Sequence, residues 1–223
     1  MGDRLQQGDL DQVLKTRMPA LGIDLGGTKI MAALVCDMKV FGEPRRVPTP
    51  KGAAKIIDAL IELVSEFQKE HLLAGVGIAT AGIVKVDSGE VIGSTGNLPG
   101  WEGTAIKKII EGRTMLPVHV ENDANAAAYG EAKAAGLTDK LCIITVTLGT
   151  GIGGGIVFNG RLYRGAHWAA GEIGHIRIAV DNRRLCTCGL WDCWEAYASG
   201  RGFRDTAREA LSSVTAEQSN LAS

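Results

Sequence analysis

The sequence predicts a mixed α/β fold built from two similar halves around a cleft. Three observations carry this. Short apolar runs of strand type alternate with segments of helical periodicity. Two glycine turns of similar form, Asp24-Leu25-Gly26-Gly27-Thr28 and Thr147-Leu148-Gly149-Thr150-Gly151, each join two strand-like runs. A third strand runs through Glu121-Asn122-Asp123 into an Ala-rich helix. One glycine turn is punctuation. Two of similar form, with an aspartate after a third strand, predict a cleft whose two walls both grip a nucleotide.

Composition narrows the class. The chain has 223 residues, 45% hydrophobic and 22% charged, enough for one large domain or two small ones. A formal net charge of −1 gives no basic footprint for nucleic acid or for an acidic membrane. No apolar run reaches transmembrane length. Residues 1–17 are polar and lack the apolar core of a signal peptide, so they read as an extra arm or leader, and a cytoplasmic protein is expected.

In chain order, Leu21–Leu25 reads as the first strand, Gly26-Gly27-Thr28-Lys29 as a turn, and Ile30–Cys36 as the second strand. The turn can present backbone N–H groups to phosphate oxygens, with Thr28 and Lys29 adding donors, and Asp24 can hold magnesium directly or through water. The same residues also fit a tight hairpin with no ligand. Residues 51–70 carry apolar positions at Ile56, Ile57, Leu60, Ile61, Leu63, Val64 and Phe67, the spacing of an amphipathic helix packed on a core. Gly75–Thr80 reads as a buried strand turned by Ala81-Gly82. Asn97-Leu98-Pro99-Gly100-Trp101 reads as a turn with an aromatic anchor, in which Asn97 bonds either a polar ligand or its own turn.

Leu116–Val120 is the strand leading to Asp123, and Ala124–Ala135 the helix leaving it. A carboxylate at this junction stands on a rigid support facing open space. Asp123 can equally be an N-cap, and cap and catalyst are compatible roles. The small side chains of the helix let another backbone come close. Leu141–Thr147 is a further strand, entering the turn of Gly149, Thr150 and Gly151.

A third cluster holds Gly171-Glu172-Ile173-Gly174-His175, then Cys186, Cys188, Cys193 and Glu195. One His and three Cys within nineteen positions match a tetrahedral zinc set in ligand type and local spacing. No fourth position stays open, so the zinc would be structural, pinning a loop whose ends carry Glu172 and Glu195. The alternative is unligated thiols with His175 elsewhere. If zinc holds one imidazole nitrogen, the other remains a donor for a substrate hydroxyl. Ser199–Leu211 reads as a last helix.

From Leu21 to Gly200 these motifs resemble the ROK family of bacterial sugar kinases and related repressors, most closely its glucokinases. The resemblance implies an actin-like ATPase (ribonuclease H-like) fold, with residues 18–122 as a small domain and 123–223 as a larger one carrying a zinc loop, 175–193. It implies that Asp123 is the general base and that Asn97, Asn122, Glu172, His175 and Glu195 bind sugar hydroxyls. It implies that Asp24 serves Mg2+, that the turns of Gly26, Gly27, Thr28 and Lys29 and of Gly149, Thr150 and Gly151 hold ATP phosphates, and that His175, Cys186, Cys188 and Cys193 bind zinc. The expected reaction is γ-phosphoryl transfer from ATP to the 6-hydroxyl of glucose, by a homo-oligomer, a dimer, that binds neither nucleic acid nor membrane.

The chain departs from the family pattern in three ways. Trp168 and Asp192 stand where the family usually has Gly. Ala81-Gly82 replaces Pro-Gly. Relatives continue past the Ser199-Gly200 helix with more helices, a strand and a further Gly-Gly turn against adenine and ribose. The rival readings are a non-catalytic sugar-binding or truncated form, a kinase of fructose or N-acetylmannosamine, and a sugar-responsive repressor. The repressor reading is disfavoured because the roughly twenty residues before Leu21 are too few for a helix-turn-helix.

Overall fold

The computed structural model describes residues 18–93, 98–137, 139–180 and 183–212. Its first part is a five-stranded sheet in the order β3-β2-β1-β4-β7. The strands are β1 (Ala20–Leu25), β2 (Lys29–Cys36), β3 (Lys39–Pro48), β4 (Val76–Thr80) and β7 (Val118–Asn122). β1, β2 and β3 form an antiparallel meander, while β1, β4 and β7 run parallel. A small hairpin of β5 (Ile83–Lys85) and β6 (Glu90–Gly93) follows β4.

Two helices cover one face of this sheet. In α1 (Ala53–Glu70) the buried side chains are Ile56, Ile57, Leu60, Leu63, Val64 and Phe67, the stripe that the periodicity predicts. α2 (Ile106–Thr114) buries Ile106 and Ile110 beside it. They meet Leu21, Ile23 and Leu25 of β1 and Val118 and Val120 of β7 in one continuous core. Trp101 is fully buried and its indole N–H donates to Thr80 Oγ1 at 2.9 Å, so the expected aromatic anchor fixes the end of β4. The opposite face, with Gly22, Ala33, Val35, Gly77 and Ala79, lines an open, mostly apolar groove.

The second part begins with α3 (Asp123–Ala134) and a three-stranded antiparallel sheet in the order β10-β9-β8. Here β8 is Cys142–Leu148, β9 Ile152–Phe158 and β10 Arg161–Leu162. The echo between the two glycine turns is structural, since each joins the strands of an antiparallel hairpin, β1–β2 and β8–β9. α3 lies against β9 at the approach its small residues permit. A Cβ on Gly153 would stand 2.7 Å from Ala124 Cβ, and one on Gly155 would stand 2.4 Å from Ala128 Cβ. β8 is an edge strand with Ile144, Val146 and Leu148 exposed on one side. A 3-10 turn (Ile173–His175), a cysteine loop, α4 (Trp194–Ala198) and α5 (Gly200–Ser212) complete the described chain.

One boundary that bears on the site differs from the sequence reading. β7 runs to Asn122 rather than Val120, because Glu121 and Asn122 pair with Ala79 and Thr80. β3, β5, β6 and α2 lie in stretches where no periodic signal stands out. No helix among the described residues is long and apolar enough to cross a membrane.

Candidate active site and metal knuckle

The parallel strands end level with one another. Asp24, Ala79 and Glu121 lie in one row, and Leu25, Thr80 and Asn122 in the next. The first glycine turn, the Ala81-Gly82 turn and the start of α3 therefore leave the same sheet edge, which is where open α/β sheets bind ligands. The first turn is braced from β3's end. Gly26 N–H donates to the Lys29 carbonyl at 3.0 Å, Thr49 Oγ1 donates to the Gly26 carbonyl at 2.7 Å, and Thr49 N–H donates to the Thr28 carbonyl at 3.0 Å. Gly27, Thr28 and Lys29 remain exposed.

Asp123 is not the N-cap. That role belongs to Asn122, whose Oδ1 accepts from Asn125 N–H at 3.0 Å while its Nδ2 donates to the Gly82 carbonyl at 3.0 Å. The longer β7 moves the junction, so Asp123 is the first helical residue, exposed, with Oδ1 accepting from Ala124 N–H at 2.8 Å. Its other carboxylate oxygen faces away from that bond. Asp24 is open to solvent as a residue, yet partial burial of its carboxyl raises its pKa above the usual range. The charge of Asp123 adds to the rise and Lys29 opposes it. Glu172 behaves alike: burial raises its carboxyl, His175 pulls it back, and Asp123 and Glu195 push it up again. Asp24, Asp123, Glu172, His175 and Glu195 thus form one electrostatic neighbourhood. Carboxylates crowded in this way make the neighbourhood a candidate functional site.

The second glycine turn closes the neighbourhood from the other side. Gly149 N–H donates to the Gly151 carbonyl at 3.0 Å, and the Gly149 carbonyl accepts from Gly200 N–H, the start of α5, at 2.8 Å. Glu195 is buried and accepts from Ile152 N–H at 2.9 Å through Oε2. Its Oε1 accepts from Thr187 Oγ1 at 2.6 Å and from Cys186 Sγ at 3.7 Å. Gly151 must be glycine for this approach, since a Cβ there would lie 2.3 Å from Glu195 Oε2.

His175, Cys186, Cys188 and Cys193 converge, with one donor atom from each lying within 4.8 Å of all the others. His175 Nδ1 is 3.5 Å from Cys186 Sγ, and Cys188 Sγ is 3.6 Å from Cys193 Sγ. Zn–S bonds of about 2.3 Å and Zn–N bonds of about 2.0–2.1 Å at tetrahedral angles require donor separations of roughly 3.5–3.8 Å, which these two pairs meet, and the donor types suit zinc. His175 Nε2 points the other way, 3.6 Å from Glu172 Oε2. Burial and the neighbouring thiols push Cys193 up to about 12, and burial raises Cys186 too. A bound cation would oppose that rise by holding the sulfurs as thiolates.

Asn97 lies outside the described residues. Sequence reasoning missed two pairs because their partners are distant in the chain. Glu121, buried in β7, accepts from Arg164 Nε at 2.8 Å and Nη2 at 2.6 Å. Lys85 Nζ, at the end of β5, lies 5.7 Å from the centroid of the Trp168 ring. Both pairs tie the loop before Glu172 to the first part of the chain. Trp168 and Asp192, at the family's glycine positions, do adopt the left-handed backbone that glycine favours, with φ of 58° and 61°.

Residues 20–223 match the model of the ROK family. The chain is 42% identical to a glucokinase of Streptomyces coelicolor over 189 residues, 85% of this chain and 59% of the relative. It is 35% identical to an N-acetyl-D-glucosamine kinase of Escherichia coli over 193 residues, covering 82% of this chain and 63% of that one. Among solved structures, a ROK family glucokinase from Streptomyces griseus, in complex with glucose and AMPPNP, superposes with a TM-score of 0.76 at 40% identity, over 87% of this chain and 62% of that one. A ROK hexokinase from Thermus thermophilus gives 0.74 at 36% identity, over 87% and 65%. The chain thus spans under two thirds of the length of these relatives. Its motifs, its two glycine hairpins and its match along residues 20–223 place it in one family: the chain belongs to the ROK family and has the actin-like ATPase fold of its glucokinases.

Proposed function

We propose that this chain carries the sugar-kinase chemistry of its family, transferring the γ-phosphoryl group of ATP to the 6-hydroxyl of glucose. One observation carries the reading: Asp123 stands exposed at a rigid strand–helix junction, within electrostatic reach of Asp24 beside the first glycine turn and of Glu172. Asp123 accepts the hydroxyl proton as the oxygen attacks, through the carboxylate oxygen not bonded to Ala124. Phosphoryl transfer has a loose transition state, so positioning and charge neutralisation do most of the work. The turns of Gly26–Lys29 and Gly149–Gly151 cradle the phosphates. Magnesium, held through Asp24, would neutralise phosphate charge. Glu172 and the Nε2 face of His175 orient sugar hydroxyls, with Asn97, Asn122 and Glu195 in the same role. Asn122 and Glu195 already bond protein groups, so they serve the sugar with their remaining acceptor and donor capacity. Zinc on His175, Cys186, Cys188 and Cys193 would fix the ring of His175 and the loop between Glu172 and Glu195.

In this reading residues 18–122 and 123–223 are two domains that close on substrate in a cytoplasmic homodimer. N-acetylglucosamine is the competing sugar, given the E. coli relative. A sugar-binding form without turnover is the second reading. What favours it is that Ile144, Val146 and Leu148 of β8, the strand entering the second glycine turn, stand exposed rather than packed. The test is ADP release with Mg-ATP and glucose, beside Asp123→Asn, with glucose binding followed by calorimetry. Glucose-dependent turnover that falls on the order of 10²- to 10⁴-fold in the variant, with binding kept, supports the kinase. Near-wild-type turnover in the variant refutes Asp123 as base. Glucose binding without turnover in the wild type establishes the second reading.

A further inference from the structure

Asp192 immediately precedes the metal ligand Cys193 and is fully buried, with φ of 61°. A carboxylate shut away from water must be met by donors or it destabilises the fold. Among the described residues, its Oδ1 accepts from Arg183 N–H at 3.0 Å, Arg184 N–H at 3.1 Å and Tyr197 Oη–H at 2.6 Å. The Asp192 backbone adds two bonds. Its N–H donates to the Arg184 carbonyl at 2.9 Å and its carbonyl accepts from Ile178 N–H at 2.9 Å. The chain entering the cysteine loop, the chain leaving it and α4 are therefore gathered on one residue.

Arg184 extends the strap. Its guanidinium lies 4.8 Å from the centroid of the Tyr197 ring and donates to the Gly202 carbonyl at 3.2 Å, to Thr206 Oγ1 at 2.9 Å and to Glu209 Oε2 at 2.5 Å. These residues belong to α5, so the loop is bolted to both helices that follow it. Glycine at 192 would accept the same backbone angle but could make none of the three carboxylate bonds. Aspartate tolerates the left-handed region better than most residues, which keeps the strain small beside those bonds.

We infer that Asp192 is a positioning residue for the metal knuckle: its carboxylate preorganises Cys186, Cys188 and Cys193 for a zinc ion and raises the loop's affinity above that of a glycine-bearing loop. The inference rests on the zinc reading of the four ligands. A further negative charge draws a cation in but makes the three thiols harder to deprotonate, so the two effects of the charge oppose each other. The two N–H groups and the phenol spend that charge locally, so geometry decides the sign.

The test is zinc affinity by competition with a chromogenic chelator, on the full chain, for wild type, Asp192→Gly, Asp192→Asn and Tyr197→Phe. Partners that orient metal ligands are typically worth 10- to 100-fold in affinity. Asp192→Gly should therefore bind zinc about 10- to 100-fold more weakly. Asp192→Asn keeps an acceptor at Oδ1 and tolerates the same φ, so it should rescue most of that loss. Tyr197→Phe removes one of the three bonds and should fall between. Urea midpoints with and without zinc separate positioning from bulk stability. A positioning role lowers the zinc-loaded midpoint more than the zinc-free one, and equal shifts overturn it. Zinc bound by Asp192→Gly as tightly as by wild type overturns the inference alone. If Asp192→Gly does not fold, wild-type affinity in Tyr197→Phe does so. A wild-type chain that takes no zinc overturns the metal reading and this inference together.

Discussion

Removing Arg164 should destabilise the chain by about 2–3 kcal/mol, a value built from the pair it leaves behind. The Glu121 side chain is 7% exposed and that of Arg164 is 28% exposed. Two guanidinium nitrogens reach one oxygen, Oε2, at 2.8 and 2.6 Å. The other oxygen, Oε1, keeps Asn122 N–H at 3.0 Å and Asn125 Nδ2 at 3.3 Å. Breaking a fully buried pair from one side costs about 3–5 kcal/mol, because a charge is stranded in the interior. Arg164 is nearer the surface, so water can partly replace it, and Oε1 stays satisfied, which brings the figure down to about 2–3 kcal/mol. Arg164→Met keeps the apolar stem and removes only the charge and donors. With a urea slope near 2 kcal/mol/M, the midpoint should fall by about 1–1.5 M. Glu121→Gln alone should also destabilise, since its amide can set a donor against the guanidinium. In Arg164→Met/Glu121→Gln no charge is stranded, and the double variant should be more stable than the sum of the singles predicts by at least about 1 kcal/mol. A shift below about 0.5 kcal/mol in Arg164→Met, or strict additivity, would refute the reasoning. The same loop carries Glu172, so KM for the sugar should rise with the loss of stability.

Other consequences follow from single contacts. Cys188→Ser should release zinc, and elemental analysis showing unchanged metal content would contradict the knuckle. Gly155→Ala places a Cβ 2.4 Å from Ala128 Cβ and 3.0 Å from the Ala124 carbonyl, so α3 must move off β9. Its thermal unfolding should show a loss of about 1–3 kcal/mol. Asp24 binds its proton more tightly when folded than the ordinary value of 3.8 implies, so wild-type stability is fully present below that pH and falls as the pH rises through the folded value. Asp24→Asn should therefore raise the melting temperature at pH 7, with the gain vanishing below about pH 4. A gain that grows on acidification would reverse the sign of the argument.

The legible parts of the fold were those where one physical demand dominates a stretch of chain. The stripe from Ile56 to Phe67 needs only local periodicity, and α1 buries it as that periodicity requires. The small residues of the Ala-rich helix α3 likewise announce a close approach by another backbone, and β9 is that partner. The cysteine spacing points to convergence because three of the four ligands lie within eight residues. What stayed hidden depends on pairing across the chain. β3 holds Pro44, Arg45 and Arg46 at an edge, where the alternation is broken by a register shift opposite Ala32 and Leu34. Glu121 and Arg164 are forty-three positions apart, and nothing local marks either as half of a buried pair. The cap lies one residue before Asp123 for a related reason. Asp and Asn cap equally well, and the choice falls to Asn122 once sheet pairing carries β7 past Val120.

Glu195 joins the two halves of the site. One oxygen holds Ile152 N–H at the second glycine turn and the other holds Thr187 in the cysteine loop, so a single carboxylate spans the turn and the loop. Gly151 is bare for this reason as well as for the turn. Asn122 repeats the arrangement at the first part of the chain, linking the Ala81-Gly82 turn to the start of α3. Residues that a family pattern marks as sugar contacts are here also the bolts between the loops that such a sugar would have to meet. Their removal would act on loop geometry and on binding at once. Substitution of either should therefore raise KM and lower stability together, whereas Asp123, exposed and bonded among the described residues only to its neighbour's N–H, should change turnover with little effect on either. That contrast separates the group placed for chemistry from the groups that hold it in place.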